Sequence, residues 1–142
     1  MTDKTENLMN RLTSTDTPNE LDQFLAEIRG KYPEDFKSYI IAILAEKGLI
    51  IADVQKKSGI DRNYIYQIMD GKKRPGRDKI IAIALASNMT LAECQRALEI
   101  AQEGILYPKN PRDSLIVYAI KKNMSVMDLN YLLDKHGFDI LK

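Results

Sequence analysis

The chain has one cysteine, Cys94, one histidine, His136, and no tryptophan. A lone cysteine cannot form an internal disulfide, which fits a reducing compartment. One His and one Cys, far apart in the chain, give no cluster with metal-ligand spacing, and no glycine-rich phosphate loop is present. His136 reads as a helix-end residue, and Cys94, on an apolar helix face, reads as core. No apolar run approaches the roughly 18 residues of a membrane span, and the N-terminus lacks the basic-then-apolar pattern of a signal peptide. The carboxylates stand at expected helix starts, where capping accounts for them better than acid–base catalysis does. The expectation is a cytoplasmic, non-enzymatic protein with no cofactor, no metal and no membrane. No segment alternates with period two long enough for a confident strand, so the fold class is all-α.

A net charge of only +1 over 142 residues does not by itself point to nucleic acid. The distribution says more. Residues 56–79 carry eight Lys or Arg (Lys56, Lys57, Arg62, Lys72, Lys73, Arg74, Arg77, Lys79) against three Asp, whereas the first 35 residues carry eight acids against four bases. A basic middle after an acidic start implies a local anion site.

Four segments follow from composition and helix signals. Residues 1–16 are polar and are expected to be a disordered tail, with Leu8, Met9 and Leu12 at most in a frayed turn. Residues 17–32 form an amphipathic helix: Thr17 caps, Pro18 takes the first position, Glu20 completes a capping box, and Gly30 ends it. Its stripe of Leu21, Phe24, Leu25 and Ile28 either packs on its own domain or docks on a partner. Residues 33–104 are the central domain. Pro33-Glu34-Asp35 opens a helix whose buried face is Phe36, Tyr39, Ile40, Ile43 and Leu44, stopped by Gly48. A short helix over 50–58, a turn at Gly59, an apolar helix from Arg77 or Asp78 to Ala86, and a helix capped by Thr90 with Glu93 follow. The buried face of that last helix is Leu91, Cys94, Leu98 and Ala101, and Gly104 ends it. After the linker Tyr107-Pro108-Lys109-Asn110-Pro111, residues 105–142 hold a closing helical pair, 112–122 and 125–136, with Ser125 as a cap and Asp128 in the box position. About seven helices are expected.

A displacement of 35 residues superimposes part of the chain on itself. Ile81, Ala84, Asn88, Met89 and Leu98 fall on Ile116, Ala119, Asn123, Met124 and Leu133, Thr90 meets Ser125, and Glu93 meets Asp128. Two copies are too few for a solenoid. They read as two helical corners sharing an Asn-Met turn, which duplication or convergence on good turn chemistry would equally produce.

The chain is organised around Gly59 to Pro75. Asp61 caps a short helix in which Ile65 and Ile68 face the core, while Arg62, Asn63, Tyr66 and Gln67 lie on other faces. Gly71 stops it, Lys72, Lys73 and Arg74 follow, and Pro75 prevents continuation. Amide and guanidinium groups at the helix start, with cations beyond its end, suit base edges and phosphates respectively.

With Ser58-Gly59-Ile60 at a turn, Ile65 and Ile68 buried, Gly71-Lys72-Lys73-Arg74-Pro75 as an exit, and Ile83-Ala84-x-Ala86 leading to Met89-Thr90-Leu91, the stretch from Phe36 to Leu98 resembles the Cro/C1-type (XRE) helix-turn-helix family. The resemblance implies a lambda-repressor-like domain of five helices, here with an N-terminal amphipathic helix and a C-terminal helical pair. It implies base contacts by Arg62, Asn63 and Gln67, and backbone contacts by Tyr64, Tyr66, Lys72, Lys73 and Arg74. It further implies double-stranded DNA as partner, a homodimer, and transcriptional regulation with repression as the expected sign. The chain departs from the family pattern at Ile51, where a backbone-contacting Gln is usual, at Gln55, where a small Ala packs, and at Met69, where Glu is frequent. The alternative is a protein–protein adaptor that docks through Leu21, Phe24, Leu25 and Ile28, the Leu49–Ile51 run and the C-terminal helices. RNA binding fits less well, because the stacking aromatics of common RNA modules are missing.

Overall fold

The computed structural model describes residues 5–31 and 35–142, all described elements being helices. They are α1 (Thr5–Thr13), α2 (Pro18–Lys31), α3 (Phe36–Lys47), α4 (Ile51–Ser58), α5 (Arg62–Met69), α6 (Arg77–Ala86), α7 (Leu91–Ile100), α8 (Pro111–Lys121) and α9 (Val126–Lys135). The chain divides into two compact units, one within residues 1–34 and the other Asp35–Lys142.

In the first unit, α1 stands where a disordered tail was expected, and with it the described helices number nine against about seven expected. No residue of α1 is buried. What orders it is a contact to α2: Arg11 Nη2 donates to Glu27 Oε2 at 2.8 Å, and its guanidinium lies 5.4 Å from the centre of the Phe24 ring. Such pairing across sixteen positions has no local sequence signature. Thr17 caps α2 through the Glu20 N–H, but the Glu20 carboxylate accepts from the N–H of Asp16, one residue earlier than a capping box requires. Gly30 does not end this helix, which runs on to Lys31. The Pro33-Glu34 helix start lies outside the described residues.

The second unit begins with Asp35, whose Oδ1 accepts the Ser38 N–H at 2.7 Å and caps α3. Gly48, at φ +68°, ends α3 in the left-handed conformation, as expected. Phe36, Ile40, Ile43 and Leu44 are buried and Tyr39 packs against the same core. The α6 helix is the axis of this unit. All seven residues from Ile80 to Ala86 are buried, because α6 packs on α4 and α7 and also on α8 and α9. A helix apolar on every side has to be covered on every side.

In α7 the Thr90–Glu93 box forms in both directions, at 3.1 and 2.9 Å. Its buried residues are Cys94, Ala97 and Leu98, not Leu91, which is 36% exposed at the helix start. The helix closes before Gly104, through Gln102 at φ +60°. The Asn-Met corners are real and alike. Asn88 and Asn123 sit at φ +53° and +55°, and the Met89 N–H donates to Ala84 O and the Met124 N–H to Ala119 O, both at 3.0 Å. The α8–α9 pair is no separate lobe, since Leu106, Ile116, Ala119, Ile120, Leu129 and Leu133 belong to the one core that Ile40 and Ile65 share.

Candidate nucleic-acid interface

Helix α5 is fixed from three directions. Asp61 Oδ2 accepts the Tyr64 N–H at 3.2 Å and caps its start. Ile65 and Ile68 are fully buried beneath it. At its end Gly71, at φ +80°, turns the chain back, so that the N–H groups of Lys72 and Lys73 both bond to Gln67 O at 2.9 and 3.2 Å. A side chain at residue 71 would be strained by that φ. The chain then leaves through buried Pro75.

The preceding turn is held by Gln55, which departs from the family pattern, and by Ser58, which fits it. Gln55 Nε2 donates to Ile60 O at 2.7 Å, and Ser58 Oγ accepts the Ile60 N–H at 3.2 Å. Gln55 thus takes the place of a small packed residue by bonding the turn's carbonyl. Gly59, at φ +72°, gives that turn its left-handed residue. Helix α4 begins at Ile50 with no side-chain cap, and Ile50 is 61% exposed. Leu49 and Ile51 pack against the core, so the apolar run is not the three-residue patch that the adaptor reading needs.

The side chains expected to touch DNA are displayed outward. Arg62, Asn63 and Tyr66 are exposed and Gln67 partly so, while Lys72, Lys73 and Arg74 are exposed along the exit loop. The Arg62 guanidinium lies 5.8 Å from the Tyr66 ring centre, one turn along the helix. Tyr64 gathers charge: Lys73 Nζ is 5.5 Å and Lys79 Nζ 5.6 Å from its ring centre. Two like charges on one ring repel each other, and the cation–π contact offsets part of that cost. Such an array is ready for a phosphate. Lys79 belongs to the basic segment 56–79, and its place at Tyr64 is not among the contacts the family resemblance implies. Nothing local marks it, since only the packing of α6 brings it to Tyr64. Among the described residues no group of His, Cys, Asp or Glu could hold a metal ion, and no helix is long and apolar enough to cross a membrane.

Comparison with protein families matches residues 40–94 to the helix-turn-helix family HTH_3, the Cro/C1 or XRE type. Residues 40–94 are a Cro/C1-type helix-turn-helix domain. The match runs from Ile40 in α3 to Cys94 in α7 and contains the Gln55–Ile60 turn, α5 and the cationic exit loop. No curated protein and no solved structure matches the chain. The helix-turn-helix domain is of a DNA-binding type.

Proposed function

We propose that this protein binds double-stranded DNA sequence-specifically and acts as a cytoplasmic transcriptional regulator, with repression as the expected sign. The observation that carries this reading is the set of exposed polar and cationic side chains along α5 and its exit loop. Exposed Arg62 and Asn63 begin α5, and Tyr64, Lys73 and Lys79 form a cationic cluster beside it. Arg62, Asn63 and Gln67 read base edges in the major groove, Arg pairing with guanine and the amides with adenine. Tyr64, Tyr66, Lys72, Lys73, Arg74 and Lys79 hold phosphates and set the register. A homodimer would present two such helices to successive major grooves, about 34 Å apart. Selection of duplexes from a random-sequence pool tests the reading. Enrichment of one motif with mirrored half-sites supports it, and a pool that stays random after repeated rounds rejects it.

A second role is favoured by α2, where Leu21 and Leu25 each remain 40% exposed on the stripe that also holds Phe24 and Ile28. That stripe is a docking face for a protein partner, compatible with DNA binding by the other unit. Replacing Leu21 and Leu25 with Ser should abolish partner recruitment and leave DNA affinity unchanged. Loss of both would count against separate roles.

A further inference from the structure

The displacement of 35 residues extends well beyond the Asn-Met corners, into the polar bonds that fasten the last four helices together. Arg77 donates to Asp113 from Nη1 and Nη2 at 2.9 and 2.8 Å. Thirty-five positions on, Arg112 donates to Asp78 from the same two atoms at 3.2 and 3.1 Å. Arg77 also holds Gly104 O through Nε and Ile105 O through Nη2. Arg112 holds Asp139 O and Ile140 O by the same atoms. Gln95 Oε1 accepts the Leu106 N–H at 2.8 Å, and Asn130 Oδ1 accepts the Leu141 N–H at 2.9 Å. Tyr107 N–H reaches Asp113 Oδ2, and Lys142 N–H reaches Asp78 Oδ2. The left-handed Gln102 corresponds to left-handed Gly137.

These correspondences fall into two kinds. Each Arg binds the carbonyls that follow its own hairpin, 27 and 28 positions ahead. Each Arg also binds the Asp of the other hairpin. The first kind shows one structural unit occurring twice, over residues 76–107 and 111–142. Convergence on good turn chemistry explains an Asn-Met corner, but not six further bonds at matching positions. The second kind fixes the relation between the units. Stacking by translation would send Arg77 to the next unit's Asp and Arg112 onward, away from Asp78. Contacts returned between equivalent residues are the mark of a two-fold, as at the self-complementary interface of a dimer.

We infer that the α6–α7 and α8–α9 hairpins are two copies of one unit closed about a pseudo-two-fold, and that this surface fits a second copy of the chain, reached by exchanging α8–α9 hairpins. Every bond within residues 76–107 and within residues 111–142 survives the exchange. Every bond between them re-forms across two chains with the same atoms. Only Pro108, Lys109 and Asn110 join the units. Asn110, before Pro111, is already extended at φ −90°, ψ 117°, and the ring of Pro108 biases Tyr107 the same way. Opening this hinge therefore costs its own turn bonds, chiefly Asn110 N–H to Tyr107 O and Ser114 Oγ to Pro108 O. A short hinge beside a self-complementary interface is the setting in which exchange competes with closure. The inference does not depend on DNA binding.

The test uses two full-length charge-reversed variants, Asp78→Arg and Arg112→Glu, the second one isotope-labelled. Each alone places like charges at one of the two ion pairs. A dimer that exchanges hairpins between the two variants restores opposite charge at both sites. Denatured together, refolded at equal concentration and examined by native mass spectrometry, they should give the mixed dimer in clear excess over either homodimer. Its melting temperature should exceed that of each variant alone. Monomers only, or the three dimers in statistical proportion, would overturn the inference. The double variant Asp78→Arg/Arg112→Glu in one chain is the folding control. If it folds while the mixture of single variants does not recover, exchange does not occur.

Discussion

Both carboxylate oxygens of Asp113 are held by the guanidinium of Arg77, at 2.9 and 2.8 Å, and Asp113 is only 3% exposed. This pair ties the start of α6, just past the cationic loop, to the start of α8. Asp78 and Arg112 form the matching pair with the wetter carboxylate, the Asp78 side chain being 22% exposed against 5% for Asp113, while the two guanidinium partners are similarly exposed. The two pairs are alike in geometry and unlike in solvation, and their energies should differ accordingly.

Replacing Asp113 with Ala leaves a partly buried guanidinium and the Tyr107 N–H without their acceptor. The loss should be about 3 kcal/mol, the scale for breaking a buried pair from one side. Asp78→Ala, at the more solvated twin, should cost about 1 kcal/mol. Urea denaturation of the two variants measures the gap, and equal losses would mean that solvation does not separate the pairs.

Acid should expose the same carboxylate. Burial pushes the Asp113 carboxyl up, but hydrogen bonds from Arg77 and from the Tyr107 N–H, with the charges of Arg77 and Arg112, outweigh it and leave it below the ordinary range. Burial likewise raises Glu93, and bonds from Thr90 and Lys47 bring it below its usual value. A lowered carboxyl contributes stability in full above its unfolded value of about 4, and that contribution is lost as pH falls through the lower folded value. Stability should therefore decline on acidification from about pH 5 downward. Asp113→Asn, less stable at neutral pH, should show a shallower acid limb in unfolding free energy against pH.

Left-handed residues offer a test of opposite sign. Gln102 occupies φ +60° where its counterpart Gly137 sits at +80°. A side chain in that region costs about 1 kcal/mol. Gln102→Gly should raise stability by up to about 1 kcal/mol, whereas Gly137→Ala should lower it by a similar amount. Thermal melts of both variants decide the matter.

Cys94 is wholly buried, and burial pushes its thiol up to about 12. It should resist thiol reagents in the native protein and react only as fast as the domain opens. Rapid stoichiometric labelling without denaturant would show that the α6–α7 core opens more readily than its packing implies.

Much of the fold could be read before the structure because helix ends are local chemistry. Asp61, Thr90 and Ser125 cap where they were expected to, each through the N–H three residues on. The face of α3 and the buried pair Ile65 and Ile68 followed from periodicity. What escaped depends on residues far apart in sequence. Helix α1 rests on Arg11 meeting α2, the exposure of Leu91 on which face α7 turns to its neighbours, and the role of Lys79 on the approach of α6 to Tyr64. The reciprocal ion pairs lie between. Arg77-Asp78 and Arg112-Asp113 are visible in the sequence at the same displacement as the Asn-Met corners, but only the structure shows that each Arg serves the other unit's Asp. Of the candidate interface, the sequence yields the residue types and the structure their outward display.

The roles assigned on α5 separate by mutation. Arg62→Ala or Asn63→Ala should cost about 1–3 kcal/mol of discrimination between bases. Lys72→Ala or Lys79→Ala should weaken binding to every duplex and reduce the salt slope by about one. Identical losses across all sequences for all four variants would contradict the division between base and phosphate contacts.

The most direct measurement is fluorescence anisotropy of the purified full chain on a labelled duplex from its own upstream region, against a scrambled duplex, over a series of salt concentrations. The account predicts tighter binding to the upstream duplex, affinity for both falling linearly with the logarithm of salt, and loss of the preference in Arg62→Ala. Absence of binding to any duplex at low salt, by a protein shown to be folded, would contradict it.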